Sequence, residues 1–278
     1  MPRSPFFQGV RQIDIEMGGE PARMPIFYYD CTAMTAVFAA RNGALKRLMP
    51  DPRFVPARLA PGLGSVIVSA LEYRDTDIGP YNELMIAVLL SAPGRANFPG
   101  RGLVDSFLAP TQNHAFIVHL PVTTTVALAA GVDFYNFPKF LADIDVAETN
   151  SARSCRLADG DTHILTLTTE RIATPRSSRT SLFSHLYMDA QPQCAEVKMN
   201  AIETGICHRP GAARLELGDR HPVALELDRL LVSRNSVHYE LTARMEAILF
   251  GPDRLTIPLI DRSLHAVEAA ASTAVTAS

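Results

Sequence analysis

In Gly131-Val132-Asp133-Phe134-Tyr135-Asn136-Phe137-Pro138-Lys139-Phe140-Leu141 a lysine stands between two phenylalanines. That is an odd setting for a solubilising charge. Of the 26 basic residues only Lys46, Lys139 and Lys198 are lysines. Arginine serves this chain for surface charge, and arginine keeps its proton near neutral pH. A lysine in an apolar setting can lose its proton and attack a carbonyl. Phe137 and Phe140 would favour desolvation, and no cation follows Lys139. The bland alternative is a snorkelling lysine whose stem covers apolar surface.

Working outward, the chain reads as strands with few helices. Residues 1–24 mix Pro, Gly and Arg and predict an irregular arm. Regular structure is predicted to begin at Met24-Pro25-Ile26-Phe27-Tyr28-Tyr29 and to continue as a strand from Thr32 to Ala39. Asn42 to Met49 reads as a short helix, with Asn42 as N-cap and Pro50 closing it. Ser65 to Tyr73 and Glu83 to Leu90 are strands, the second bounded by Gly79-Pro80 and Pro93-Gly94. Residues 93–113 read as a long loop, and Ala115 to Leu120 as a strand. Thr123 to Ala130 fits strand or helix. Beyond Lys139, strands are predicted over Ala142–Ala147, His163–Thr169, Ala195–Ile206 and Ala213–Leu217. Ala243 to Phe250 fits either type. Short turns between strands predict an antiparallel meander rather than βαβ units. One domain over residues 25–265 is expected, of α+β or mainly β class, with an Ala/Ser/Thr-rich tail over 266–278.

Composition narrows the function. The chain has 278 residues, 47% hydrophobic content and a net charge of −3. No basic stripe points to nucleic acid. The longest apolar run, Leu84 to Leu90, is far short of the roughly 20 residues that span a bilayer. The start lacks the apolar core of a signal peptide. A soluble, cytoplasmic protein is the expectation. Cys31, Cys155, Cys194 and Cys207 are scattered without a C-x-x-C pair, so reduced, structural roles are expected. Cys194 and Cys207-His208 lack the second close pair that a metal site needs. Gly62-Leu63-Gly64 precedes a strand and reads as a turn rather than a dinucleotide fingerprint. No nucleophile elbow or phosphate-cradling loop occurs. Neither metal nor cofactor is expected.

Tyr81-Asn82-Glu83 follows Gly79-Pro80 and runs straight into Leu84-Met85-Ile86-Ala87-Val88. Alone, Glu83 reads as a solvated carboxylate at a turn mouth. In order along the chain, three pieces resemble the acetoacetate decarboxylase superfamily. The segment Gly131 to Lys139 is similar to the family's Gly-Arg-Glu…Tyr/Phe-Pro-Lys stretch, which carries a Schiff-base lysine. Tyr81-Asn82-Glu83 resembles its Tyr-x-Glu segment, which carries an active-site glutamate. Tyr28 to Pro50 is similar to its early strand, helix and Leu-Pro close. The resemblance covers about residues 25–250.

The resemblance implies an antiparallel, cone-like β-barrel with flanking helices and the lysine inside. It implies a homo-oligomer acting on a small oxo acid without cofactor. Lys139 would form the imine, with Glu83 as proton shuttle and Tyr81 as a second donor or hydrogen-bond partner. Acetoacetate decarboxylase is itself the known example of a lysine activated by its surroundings. Three positions depart from the decarboxylases. Phe140 stands where they carry a second lysine. Ungapped alignment on Tyr81-Asn82-Glu83 puts Val68 where they have a second glutamate. Alignment on Pro50 puts Cys31 where they have an arginine. These three, with Phe27 and Phe137, are the expected pocket residues. Arg23 or Arg74 is a candidate replacement for the carboxylate anchor. Three activities remain open: decarboxylation of a β-keto acid, aldol condensation with dehydration on a pyruvate-like acid, and ligand binding without catalysis.

Overall fold

Residues alternate in character along β3 (Ile26–Arg41), β4 (Leu63–Thr76) and β5 (Tyr81–Leu89). Successive side chains in a strand point to opposite faces, so each strand serves two environments. Met34, Ala36 and Phe38, with Val66 and Val68 beside them, face outward into a buried cluster. Ala33, Thr35 and Val37, with Ile67 and Ser69 beside them, face inward and line a cavity. The computed structural model describes residues 4–92 and 112–252.

The strands close into a barrel with the order β10-β11-β13-β3-β4-β5-β6. Here β6 is Gln112–His119, β10 Arg176–Met188, β11 Gln191–Cys207 and β13 His238–Leu249. All neighbours are antiparallel except β6 and β10, whose parallel pairing closes the ring. Closure removes the exposed edges that an open sheet would leave. A second sheet has the order β12-β9-β8-β7. It comprises β7 (Asp143–Glu148), β8 (Ala152–Asp159), β9 (Thr162–Glu170) and β12 (Ala213–Leu217). Its Ile144, Leu157, Leu165 and Leu215 share one buried cluster with the outer faces of β3, β4 and β5. Helix α1 (Asn42–Leu48) adds Leu45 to this cluster, and α3 (Pro222–Leu230) adds Val223, Leu227 and Leu230. Helix α2 (Thr125–Tyr135) packs at the other end, with β1 (Ile13–Met17) and β2 (Glu20–Met24).

The mainly antiparallel barrel with flanking helices is therefore present. Several local expectations are corrected. The predicted irregular arm contains a 3-10 turn at Pro5–Phe7 and the β1–β2 hairpin. Gly18 and Gly19 both have positive φ, which glycine adopts without steric cost and which a tight hairpin turn requires. Met17 and Met24 bury completely or nearly so and anchor the hairpin. Asn42 is the first residue of α1 rather than its cap, because its own backbone N–H donates to Gly62 and its side chain is buried beside Gly64. The ambiguous Thr123–Ala130 is helical, with Thr124 accepting from the Ala127 N–H as N-cap. Ala243–Phe250 is strand up to Leu249. The predicted loop 93–113 lies outside the described residues except for Gln112 and Asn113, which open β6. The tail 266–278 also lies outside them.

Candidate active site

Lys139 is held by backbone pairing on both sides of a short segment. Helix α2 ends at Asn136, whose left-handed backbone (φ 51°, ψ 33°) turns the chain. The Asn136 and Phe137 N–H groups donate back to α2 carbonyls, so the helix end is capped. Pro138 follows, where no helix could continue. The Pro138 carbonyl then accepts from Leu120, and that of Phe140 from Val122. Pro121 and Thr123 in turn bond to Leu84 and Asn82. The segment carrying Glu83 thus lies two backbone steps from the segment carrying Lys139.

The two side chains meet inside the barrel. Lys139 Nζ donates to Glu83 Oε2 at 2.8 Å, with side-chain exposures of 6% and 9%. The stem of Lys139 crosses Gly131, where a Cβ would overlap its Cδ and Cε. A glycine in the last turns of a helix is here a clearance for the lysine. Tyr73 donates to the other oxygen of Glu83 at 3.2 Å. The hydroxyls of Tyr28 and Tyr81 are 3.3 Å apart and bonded. The Tyr73 ring lies 4.7 Å from that of Tyr28 and 4.6 Å from that of Tyr81. The Lys139 amine sits 5.8 Å from the centre of the Tyr81 ring, within reach of a cation–π contact. Burial, and then the charge of Glu83 or a neighbouring tyrosine, pushes the hydroxyls of Tyr28, Tyr73 and Tyr81 above the usual phenol range. They stay protonated near neutral pH and can donate hydrogen bonds. Tyr135 stacks on Phe137 at 5.1 Å. Its buried hydroxyl has no hydrogen-bond partner among the described residues.

Of the residues singled out from sequence, Lys139, Glu83, Tyr81 and Phe137 line one cavity of about 340 Å³. Phe140, Val68, Cys31 and Phe27 do not line it. Phe140 follows Lys139 in extended chain, so it points outward, where it stacks over His221. Val68 is outward by the same alternation, and Ser69 holds the inward place. Phe27 points out against Phe7, Ile248 and Phe250. Cys31 follows a bulge in β3 that shifts the alternation, and it is buried beside Tyr28 and Ala33. Arg74 is committed to Asp30 through two hydrogen bonds of 2.7 Å. Arg23 lies on the hairpin 4.0 Å from Asp14. Neither lines the cavity; among the described residues Arg176 is the arginine that does.

Sequence reasoning missed Tyr28, Tyr73 and Tyr135 as site residues. A signal for Tyr73 exists. Registering the β4–β5 hairpin sets Tyr73 opposite Tyr81 and Leu71 opposite Glu83. Tyr73 and Glu83 then share one face. No group of three or more His, Cys, Asp or Glu among the described residues could hold a metal ion. No described helix is long and apolar enough to cross a membrane.

The acetoacetate decarboxylase (ADC) family model matches residues 16–248. No curated protein matches the chain. Several solved structures share its fold, three of them as follows. An acetoacetate decarboxylase superposes with a TM-score of 0.57 at 16% identity, covering 82% of this chain and 87% of that one. The acetoacetate decarboxylase of Legionella pneumophila gives 0.57 and 16%, covering 82% and 86%. The enduracididine biosynthesis enzyme MppR, complexed with pyruvate, gives 0.55 and 12%, covering 91% and 95%. At these identities the likeness carries the fold alone.

Proposed function

The chain belongs to the acetoacetate decarboxylase family, and from that premise we propose that it is a Schiff-base lyase that decarboxylates a β-keto acid through Lys139. The observation that carries this reading is the buried Lys139–Glu83 contact of 2.8 Å inside a cavity. Exposed ion pairs of this kind are common and mean little. A buried one costs desolvation of both groups, and a functional use is one reason for a fold to keep it.

The chemistry balances with these residues. Glu83 takes a proton from the Lys139 ammonium, and the free amine adds to the substrate ketone. Loss of water leaves a protonated imine. The bond to the carboxylate carbon then breaks, CO₂ departs, and its electron pair becomes the enamine. The proton first held by Glu83 leaves with the lost water, so Glu83, reprotonated from solvent, or Tyr81 as the second donor, gives a proton to carbon, and each turnover takes up one solvent proton. Water then hydrolyses the imine, releasing a methyl ketone and restoring Lys139. Tyrosine hydroxyls near the amine are the available donors to the substrate's oxygens.

A second reading uses the same imine on a pyruvate-like acid, whose enamine attacks an aldehyde before dehydration. It is favoured by Phe140, which supplies no second lysine and points out of the cavity. Assays of CO₂ release from acetoacetate and longer 3-oxo acids separate the two. Release above the Lys139→Gln background supports the first. With Glu83→Gln, loss of proton transfer lowers the rate by roughly 10²–10⁴-fold. A pyruvate adduct without CO₂ release from any 3-oxo acid supports the second. A cytoplasmic homo-oligomer is part of the proposal, and light scattering on the purified protein tests the assembly.

A further inference from the structure

The Lys139 cavity is long rather than round. It is lined by Ile26 and by Val37, near opposite ends of β3. At about 3.3 Å per residue that stretch of strand covers on the order of 30 Å. Arg176 opens β10 and also lines the cavity, whereas Tyr187, near the other end of β10, accepts a hydrogen bond from Asn136 beside the lysine segment. The lysine therefore sits toward one end and Arg176 toward the other.

Between them the wall is mostly apolar, interrupted by Asn113 and by hydroxyl side chains. Leu71, Met85, Ile117, Leu182, Met199 and Met245 line it. Three of these are methionines, whose flexible thioethers adapt to ligands of varied shape. Four of the hydroxyls in the wall are already committed to polar partners, while Ser178, Thr180 and Ser184 of β10 also face the cavity. Thr35 bonds Ser69 at 2.8 Å, and Thr204 bonds Thr242 at 3.2 Å and Glu240 at 2.9 Å. Such paired hydroxyls place little demand for polar groups on a ligand. A four-carbon oxo acid would fill only the lysine end of a cavity in the roughly 300–1,000 Å³ range that holds drug-sized ligands.

We propose that the substrate is a β-keto acid with a long apolar substituent on its ketone, which lies along the barrel axis while the ketone meets Lys139. This rests on the imine reading of the site. The reaction releases CO₂ and a methyl ketone carrying the same substituent. The methionine wall selects for length more than for shape.

The test uses the purified full-length protein with the four-, six-, eight- and ten-carbon 3-oxo acids. CO₂ release is read against the Lys139→Gln background, and imine formation is read by borohydride trapping. Each buried methylene adds about 0.8 kcal/mol, or about fourfold, so kcat/KM rises by that factor per carbon until the apolar wall is filled. Ala201→Leu and, separately, Val37→Phe narrow the cavity away from the lysine. Each should lower the ratio of ten-carbon to four-carbon turnover, and the chain-length series in the parent protein stands even if neither variant folds. Trapping at Lys139 with no gain from added methylenes overturns the long-chain substrate and leaves the imine reading intact. No trapping with any of the acids overturns both.

Discussion

Residue 131 decides where the Lys139 amine can go. With hydrogen at that position the lysine stem passes over α2 and reaches Glu83. A methyl group there would occupy the same space as Cδ and Cε. Replacing glycine by alanine inside a helix ordinarily stabilises by about 1 kcal/mol. In Gly131→Ala that gain offsets part of the collision, so the fold survives while the amine moves. A misplacement of about 1 Å in a reacting group costs on the order of 10²-fold. Gly131→Ala is therefore expected to lose about that much in kcat, with a urea midpoint close to the parent's. Parental turnover in that variant would show that the lysine's path over Gly131 is irrelevant to activity. At this scale much of the site was legible. Lys139 stands out by residue type and setting, Glu83 and Tyr81 only through the family resemblance, and with Phe137 all four line one cavity. Their catalytic roles remain the proposal.

Elements decide which neighbours of those residues face the cavity. Val68 and Cys31 both lie off the cavity wall; Val68 is an error of strand phase, whereas Cys31 pairs with the cavity-lining Tyr73 and Met245 and is fully buried without reaching the cavity. A slip of one residue along β4 exchanges Val68 for Ser69. In β3 the bulges between Tyr28 and Cys31 shift the phase. Counting residues cannot see a bulge. Strand β10 escaped detection for a related reason. Its inward residues Ser178, Thr180 and Ser184 line a cavity rather than a packed core, so the usual apolar alternation is missing. The end of α2 offers a test at this scale. Asn136 is left-handed, and its side chain also donates to the Tyr187 carbonyl at 2.8 Å. A β-branched residue is disfavoured there by roughly 1–2 kcal/mol. Asn136→Val should lower Tm by several degrees, and Asn136→Gly should lower it less. Equal Tm values for the two variants would contradict a backbone role for this residue.

For the whole molecule, strand content and antiparallel character followed from turn spacing and alternation. Barrel closure did not, because β6 and β10 pair in parallel across an intervening helix, α2, and three strands of the second sheet, β7 to β9. Two histidines tie stability of the assembled fold to pH. Burial, reinforced by His114, lowers the His185 pKa to about 4, and burial with His208 does the same for His238. Both take up a proton more readily in the unfolded chain, where the ordinary value is about 6.5. Their contribution is complete above that value and is lost as pH falls from about 6.5 toward 4, by up to about 1.4 kcal/mol per pH unit for each group. Urea midpoints taken at pH 7, 5.5 and 4.5 should fall progressively, and less steeply in His185→Phe. A flat profile across that window would contradict the burial of these rings.

The central claim is that Lys139 forms an imine with an oxo acid inside the barrel. Borohydride reduction during incubation with acetoacetate, a longer 3-oxo acid or pyruvate, followed by peptide mass spectrometry, tests it directly. The expected result is an added mass on the peptide carrying Lys139, absent in Lys139→Ala and unchanged in Lys198→Ala, whose lysine is exposed on β11. An unmodified Lys139 with every oxo acid, or labelling that persists in Lys139→Ala, would contradict it.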